Sequence, residues 1–403
     1  MVFKKLGNVI AILLLFTVKA VMADDIGDAL TKGKASLDLR YRFESASQDG
    51  KEKDAAASTF RLRLGYTTGK FYDFSLHAEM ETIQAIGGEN YDSTDNGKAE
   101  YPIVADPEDT ELNQLFLAYT GVPNTVFKLG RQRIKIDNDR FIGNVGWRQN
   151  EQTYDAFQII NTSISNLTVT LAYITNVNRI FGEHHSTLSD ISMNTGILNL
   201  RYDFPLGGLS AYGYFLDNKD SPASSHRTLG LRFIGSRGFS GSAKVLYTVE
   251  HAVQDEYKEG VDMIGASYYL VELGFALNNL TVKGGYEALG SEGIIGFATP
   301  LATLHAFNGW ADKFLSTPSE GLIDLYFQLG FKLKVRGRPI VLRAVYHEFD
   351  SNHASISYGT EIDFQLLYKL GNNSSLILKY AGYYADEFAS DTTKFWAGFQ
   401  YKF

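Results

Sequence analysis

Phe395-Trp396-Ala397-Gly398-Phe399-Gln400-Tyr401-Lys402-Phe403 closes the chain, and its reading decides the fold. Phe395, Ala397, Phe399, Tyr401 and Phe403 hold every second place, so all five share one face of an extended strand. The same alternation recurs far upstream. Leu37, Leu39, Tyr41 and Phe43 alternate with Asp38, Arg40, Arg42 and Glu44. Phe60, Leu62, Leu64 and Tyr66 alternate with Arg61, Arg63 and Gly65, and Phe74, Leu76, Ala78 and Met80 with Ser75, His77, Glu79 and Glu81. None of these runs has the i, i+3, i+4 spacing of an amphipathic helix.

Followed to the end, the alternation predicts about eighteen strands, from 34–45 to 393–403, with sixteen as the alternative count. Every second connection is a tight turn, such as Gly69-Lys70, Ser165-Asn166, Pro205-Leu206-Gly207, Ser236-Arg237-Gly238, Asn278-Asn279 and Gly371-Asn372. The connections between them are long and polar, at 86–109, 135–153, 179–191, 251–262 and 290–320. Short turns at one end and long loops at the other are the layout of an all-β, transmembrane antiparallel β-barrel of a bacterial outer membrane. A soluble sandwich or propeller is the rival. Its strands run to about 5–6 residues, shorter than these, and no blade-length repeat is present. The terminal Phe403 also resembles the signal by which the outer-membrane assembly machinery recognises its barrels.

The other end of the chain agrees. Lys4-Lys5, an apolar stretch from Val9 to Val18 and Val21-Met22-Ala23 read as a signal peptide over 1–23, which leaves 24–403 as the barrel. The apolar stretch is too short to span a bilayer as a helix. Composition removes other classes. Cysteine is absent, so there is no disulfide framework, thiolate metal site or cysteine nucleophile. A net charge of −8 without a basic block argues against a nucleic-acid partner. Aromatic residues make up 13% of the chain, yet the mean hydropathy is only −0.15, as expected when one apolar face is used repeatedly.

A lipid-facing Arg or Lys costs ~2–4 kcal/mol at the bilayer midplane, so the charged register must face the lumen. It carries Arg40, Arg42, Arg61, Arg63, Lys128, Arg201, Arg232, Lys244, Lys283, Lys332, Arg343, Lys379 and Lys394. Against them stand Asp38, Glu44, Glu79, Glu81, Asp203, Glu250, Glu287, Asp324, Glu361 and Asp363. Cations lead slightly, and the acidic surplus falls in the loops. Two readings stay open: paired charges that merely solvate the interior, or a basic path for an anionic or hydroxylated solute. An acidic mouth would instead favour cations.

Two segments break the alternation. The first runs from Leu129 through Arg131, Arg133, Arg140 and Phe141 to Trp147-Arg148 and Tyr154-Asp155-Ala156. It combines guanidinium forks with aromatic rings and reads as a loop folded into the pore, or as an extracellular loop tied by its own ion pairs. The second, Pro300 to Phe314, includes His305, Asn308, Trp310 and Asp312 and reads as a short ordered element in a long loop. These two runs resemble the alginate-export family of outer-membrane porins. The resemblance implies a monomeric eighteen-stranded barrel that passes solute by diffusion. It makes Arg131, Arg133, Arg140, Trp147 and Arg148 the constriction candidates, and places His305, Asn308, Trp310 and Asp312 in the second family motif without assigning their role.

The expected function is therefore an outer-membrane channel for the diffusion of small or polymeric hydrophilic solutes, anionic or carbohydrate ones among them. It contacts membrane lipid and lipopolysaccharide and uses no cofactor or metal. His184-His185 beside Glu183 reads as a polar loop more readily than as a metal site. No phosphate loop, dinucleotide fingerprint or Gly-x-Ser-x-Gly motif appears, so no enzyme is expected. A non-conducting barrel acting as receptor, adhesin or structural protein is the alternative, with an outer-membrane hydrolase behind it.

Overall fold

The computed structural model describes residues 23–403, apart from Met263. The expected leader lies outside the described residues except for Ala23. That residue opens the helix α1 (Ala23–Thr31), which the strand pattern did not foretell.

Eighteen strands follow. They are β1 (Lys34–Gln48), β2 (Ala55–Thr67), β3 (Phe74–Ala85), β4 (Asp109–Tyr119), β5 (Thr125–Gln132), β6 (Thr153–Asn161), β7 (Leu167–Asn178), β8 (Asp190–Phe204) and β9 (Gly207–Leu216). Then come β10 (His226–Ser240), β11 (Ala243–Glu256), β12 (Gly265–Leu277), β13 (Leu280–Leu289), β14 (Leu322–Val335), β15 (Arg338–Asp350), β16 (Ser357–Lys369), β17 (Ser374–Ala385) and β18 (Thr392–Lys402). Each strand pairs antiparallel with its neighbours in sequence. β18 returns to β1, with Asp38 opposite Lys402 and Gln48 opposite Thr392, so the sheet closes and no edge remains. This count settles eighteen against sixteen.

Alternation becomes sidedness. On β2, Arg61 and Arg63 are buried while Leu64 is 56% exposed; on β3, Glu79 and Glu81 are buried while Met80 is 54% exposed. Apolar side chains therefore face lipid and charges face inward. The outward aromatics near the short turns form a belt of neighbouring rings, with Phe74 and Tyr119 4.5 Å apart and tilted and Phe204 and Phe233 5.6 Å apart and stacked. One expected turn moves. Ser236-Arg237-Gly238 continues β10, and the chain reverses at Gly241-Ser242, where Gly241 takes a φ of +53°.

The long connections at the opposite end, L1 to L9 in chain order, include L2 (86–108), L3 (133–152), L4 (179–189) and L7 (290–321). L3 and L7 turn into the barrel and pack on each other. Gly143 N–H donates to the Leu301 carbonyl at 2.9 Å, and Thr303 N–H donates to the Asp139 carbonyl at 2.9 Å. The inward fold of L7 carries no period-2 or helical signature in the sequence. Its only regular piece is one 3-10 turn, Leu304–Ala306.

Candidate functional site

The site is the lumen, and in its upper half the wall is wired to L3. Arg40 donates to the Gln149 side chain and the Gly146 carbonyl, both at 2.9 Å. Arg61 and Arg63 donate to the Gln149 carbonyl at 3.2 Å. Arg42 bonds to Asp106 of L2 and to the Trp147 carbonyl. Arg63 also meets Glu81 and Glu151, and Arg133, just beyond β5, meets Glu79 and Glu151. Burial would raise the Glu151 carboxyl, but Arg63 and Arg133 outweigh it and hold the group well below the usual carboxylate range.

L3 is also seated by aromatics. The Phe141 ring lies 5.3–6.0 Å from those of Tyr212, Tyr214, Tyr268 and Phe297, the last from L7. Beside it, buried Arg140 donates to Glu287 at 2.7 Å and to Asn308 at 3.0 Å, tying L3 to β13 and L7 together.

L7 is fixed to β16–β18. Glu361 accepts the backbone N–H groups of Trp310 and Ala311. Asp312 accepts from Arg148 at 2.9 Å, from Lys394 at 2.9 Å and from His305 Nδ1 at 2.7 Å. His305 Nε2 lies 2.7 Å from Lys379 Nζ. An imidazole that donates to a carboxylate and accepts from an ammonium is neutral, and burial together with the Lys379 charge pushes its pKa down to about 3. Around Lys379 stand Trp310, Trp147 and Trp396, with ring centroids 3.8, 4.2 and 5.3 Å from Nζ. These are the three tryptophans of the chain, and Trp147 also stacks on His305 at 4.6 Å. One wall lysine thus joins L3, L7 and β18 through cation–π contacts, the stronger for being out of water.

Of the constriction candidates, Arg133, Arg140, Trp147 and Arg148 lie in this inward-folded assembly. Arg131 does not. It keeps the outward register of Phe127 and Leu129, opposite Asp155 of β6. Its guanidinium bonds to Asp155 at 3.0 Å and to the Leu112 carbonyl at 3.1 Å. The alternation does not break there. It continues inward through Gly130 and Gln132, the latter fully buried. His305, Asn308, Trp310 and Asp312 come together with the wall, a clustering their sequence spacing alone could not disclose.

Inward charges sort by height. Near the loops most are paired, as Arg232 is with Glu250 of β11, although buried Glu111 and Lys379 have no oppositely charged group within 4.0 Å among the described residues. Glu361 is spent on L7, while the oxygens of buried Asp363 have no hydrogen-bond partner among the described residues. Toward the short turns the register is basic. Lys34, Lys128, Lys244, Lys332, Lys334, Lys369 and Arg343 have no carboxylate within 4.0 Å among the described residues. Arg201 pairs with Asp203, Lys283 with Glu272, and Lys402 with Asp38. Arg343, on β15, lies 5.4 Å from the Trp310 ring, its Nε buried and unbonded. The two open readings of the lumen therefore describe different levels of it.

At the mouth, His184 bonds to Asp109 at 2.7 Å, and His185 bonds to the Thr94 carbonyl at 3.0 Å. Among the described residues no three His, Cys, Asp or Glu side chains are grouped to hold a metal ion.

The family model described as alginate export matches residues 33–284, more than half of the chain. No curated protein matches at the sequence level. Similar solved structures include OccK2 (OpdF) of Pseudomonas aeruginosa, at 13% identity and a TM-score of 0.70, covering 93% of this chain and 98% of that one. OccAB4 of Acinetobacter baumannii is similar at 13% identity and 0.73, covering 93% and 99%. OccK2 has been solved with glucuronate, and OpdK of Pseudomonas aeruginosa with vanillate. A closed eighteen-stranded barrel with a lipid-facing apolar register and a charged, loop-lined lumen agrees with the family match: the chain belongs to the alginate export family and is a channel protein of the bacterial outer membrane.

Proposed function

We propose that the channel passes small carboxylate-bearing solutes, sugar acids among them, by diffusion and without catalysis. The basic lumen toward the short turns is the observation that carries this reading. Cationic side chains free of carboxylate partners concentrate anions at that end, and low-dielectric walls focus the effect. L3 and L7 narrow the path above it. Arg343 is the first unpaired guanidinium below L7, and its planar fork suits a carboxylate. The glucuronate and vanillate complexes of similarly folded channels belong to the same chemical class. The barrel acts as a monomer, its closed sheet needing no partner strand. It meets lipopolysaccharide at the loop end, and Phe403 serves the assembly machinery.

Conductance of the refolded protein in planar bilayers tests the reading. Open steps with a reversal potential favouring chloride, reduced by glucuronate from the short-turn side, are expected. Arg343→Ala should weaken the glucuronate effect severalfold. A silent, folded barrel would sink the channel reading in favour of a receptor or adhesin, and cation selectivity would sink the basic path.

A further inference from the structure

Helix α1 has no part in the lumen, yet it is tied to the barrel. Gly69 N–H donates to the Ala29 carbonyl at 2.8 Å, which fixes the helix to the turn between β2 and β3. Tyr66 donates its hydroxyl to the Leu30 carbonyl. Tyr66 belongs to the outward register of β2, opposite Ala35, so this bond places the helix end against the outer wall and not under the pore. Asp28 and Thr31 occupy one side of the helix and Ile26, Ala29 and Leu30 the other. Ala29 is buried against the turn, while Ile26 and Leu30 are 47% and 56% exposed. Next to them, Tyr72 at the turn is 70% exposed and Phe74 opens the lipid-facing aromatic belt.

We propose that α1 is an interfacial helix whose partner is the phospholipid of the periplasmic leaflet. Ile26 and Leu30 enter at the level of the glycerol and upper acyl groups. The argument is continuity: the exposed apolar side of α1 extends a surface the barrel already presents to lipid, at the height where aromatic residues mark the membrane boundary. The attraction is apolar. Lys32, just past the helix, is paired with Asp28 at 2.6 Å and so is not free to recruit anionic headgroups. The helix holds the β2–β3 end of the barrel at a set depth.

The absence of cysteine provides the test. Ile26→Cys, Leu30→Cys and, on the polar side, Thr31→Cys are each labelled with a nitroxide in the mature protein and reconstituted into phosphatidylethanolamine/phosphatidylglycerol vesicles. At positions 26 and 30, collision with lipid-soluble oxygen should exceed collision with an aqueous nickel chelate severalfold. At position 31 the order should reverse, and changing the phosphatidylglycerol fraction should alter neither result. Chelate access at 26 equal to that at 31 would overturn the proposal. So would dipolar broadening between labels at 26, because a second copy would then cover the face. If labelling disturbs the helix, the unlabelled pair Ile26→Asp and Leu30→Asp decides. It should leave the barrel folded while exposing the Thr31–Gly33 peptide bonds to a protease added on the periplasmic face. Unchanged protection would count against the membrane as partner.

Discussion

At the scale of single residues, the lumen depends on a few positions with no substitute. Gly309 takes a φ of +83°, and a Cβ there would fall 2.4 Å from the Glu361 carboxylate. The bare backbone is what lets Trp310 and Ala311 present their N–H groups to that acid. Gly309→Ala should therefore detach the L7 tip at a local cost of about 1–3 kcal/mol and raise single-channel conductance, while the barrel still resists unfolding in detergent. His305 sets a pH dependence. Its pKa is about 3 in place and near 6.5 when released, so the released state binds the proton more readily between those values. The seated form is fully favoured above about 6.5 and loses ground as pH falls toward 3. Conductance should rise between pH 7 and pH 4, and His305→Gln should flatten that response. The chemistry of such residues was only half legible. Motif likeness selected His305 and Asp312, but their partners Lys379 and Lys394 stand on strands distant in sequence. Arg131 misled because a basic residue next to a glycine imitates a break in a register that in fact continues.

At the scale of elements, strands were readable because water and lipid impose opposite demands at successive positions. Loops that enter the lumen face both wall and water and lose any period. L3 announced itself through its arginines. L7 did not, although Phe297, Leu301, Trp310 and Phe314 are buried. The inward Tyr212 and Tyr214 of β9 make sense only beside Phe141, which they receive. Phe141→Ala should cost the seating of L3 about 3–5 kcal/mol. The expected readout is a larger and noisier current with the melting of the barrel itself little changed. Helix α1 escaped because its nine residues are too few for a periodic pattern to register.

At the scale of the whole molecule, the uneven charge of sequence becomes a gradient along one axis. Acidic loops crown one end and unpaired lysines line the other. Such a pore is electrically asymmetric. Current–voltage curves should rectify at low salt and become straight near 1 M, where the screening length is only about 3 Å. A symmetric curve at low salt would contradict the gradient. The convergence of Trp147, Trp310 and Trp396 on one lysine has an optical consequence of another kind. All indole emission of the protein originates at the joint between two loops and the wall, and none at the lipid surface. Unseating of the loops therefore becomes visible as a colour change in an otherwise folded protein, and a lipid-borne quencher that reaches the outer aromatic belt should leave that light undimmed.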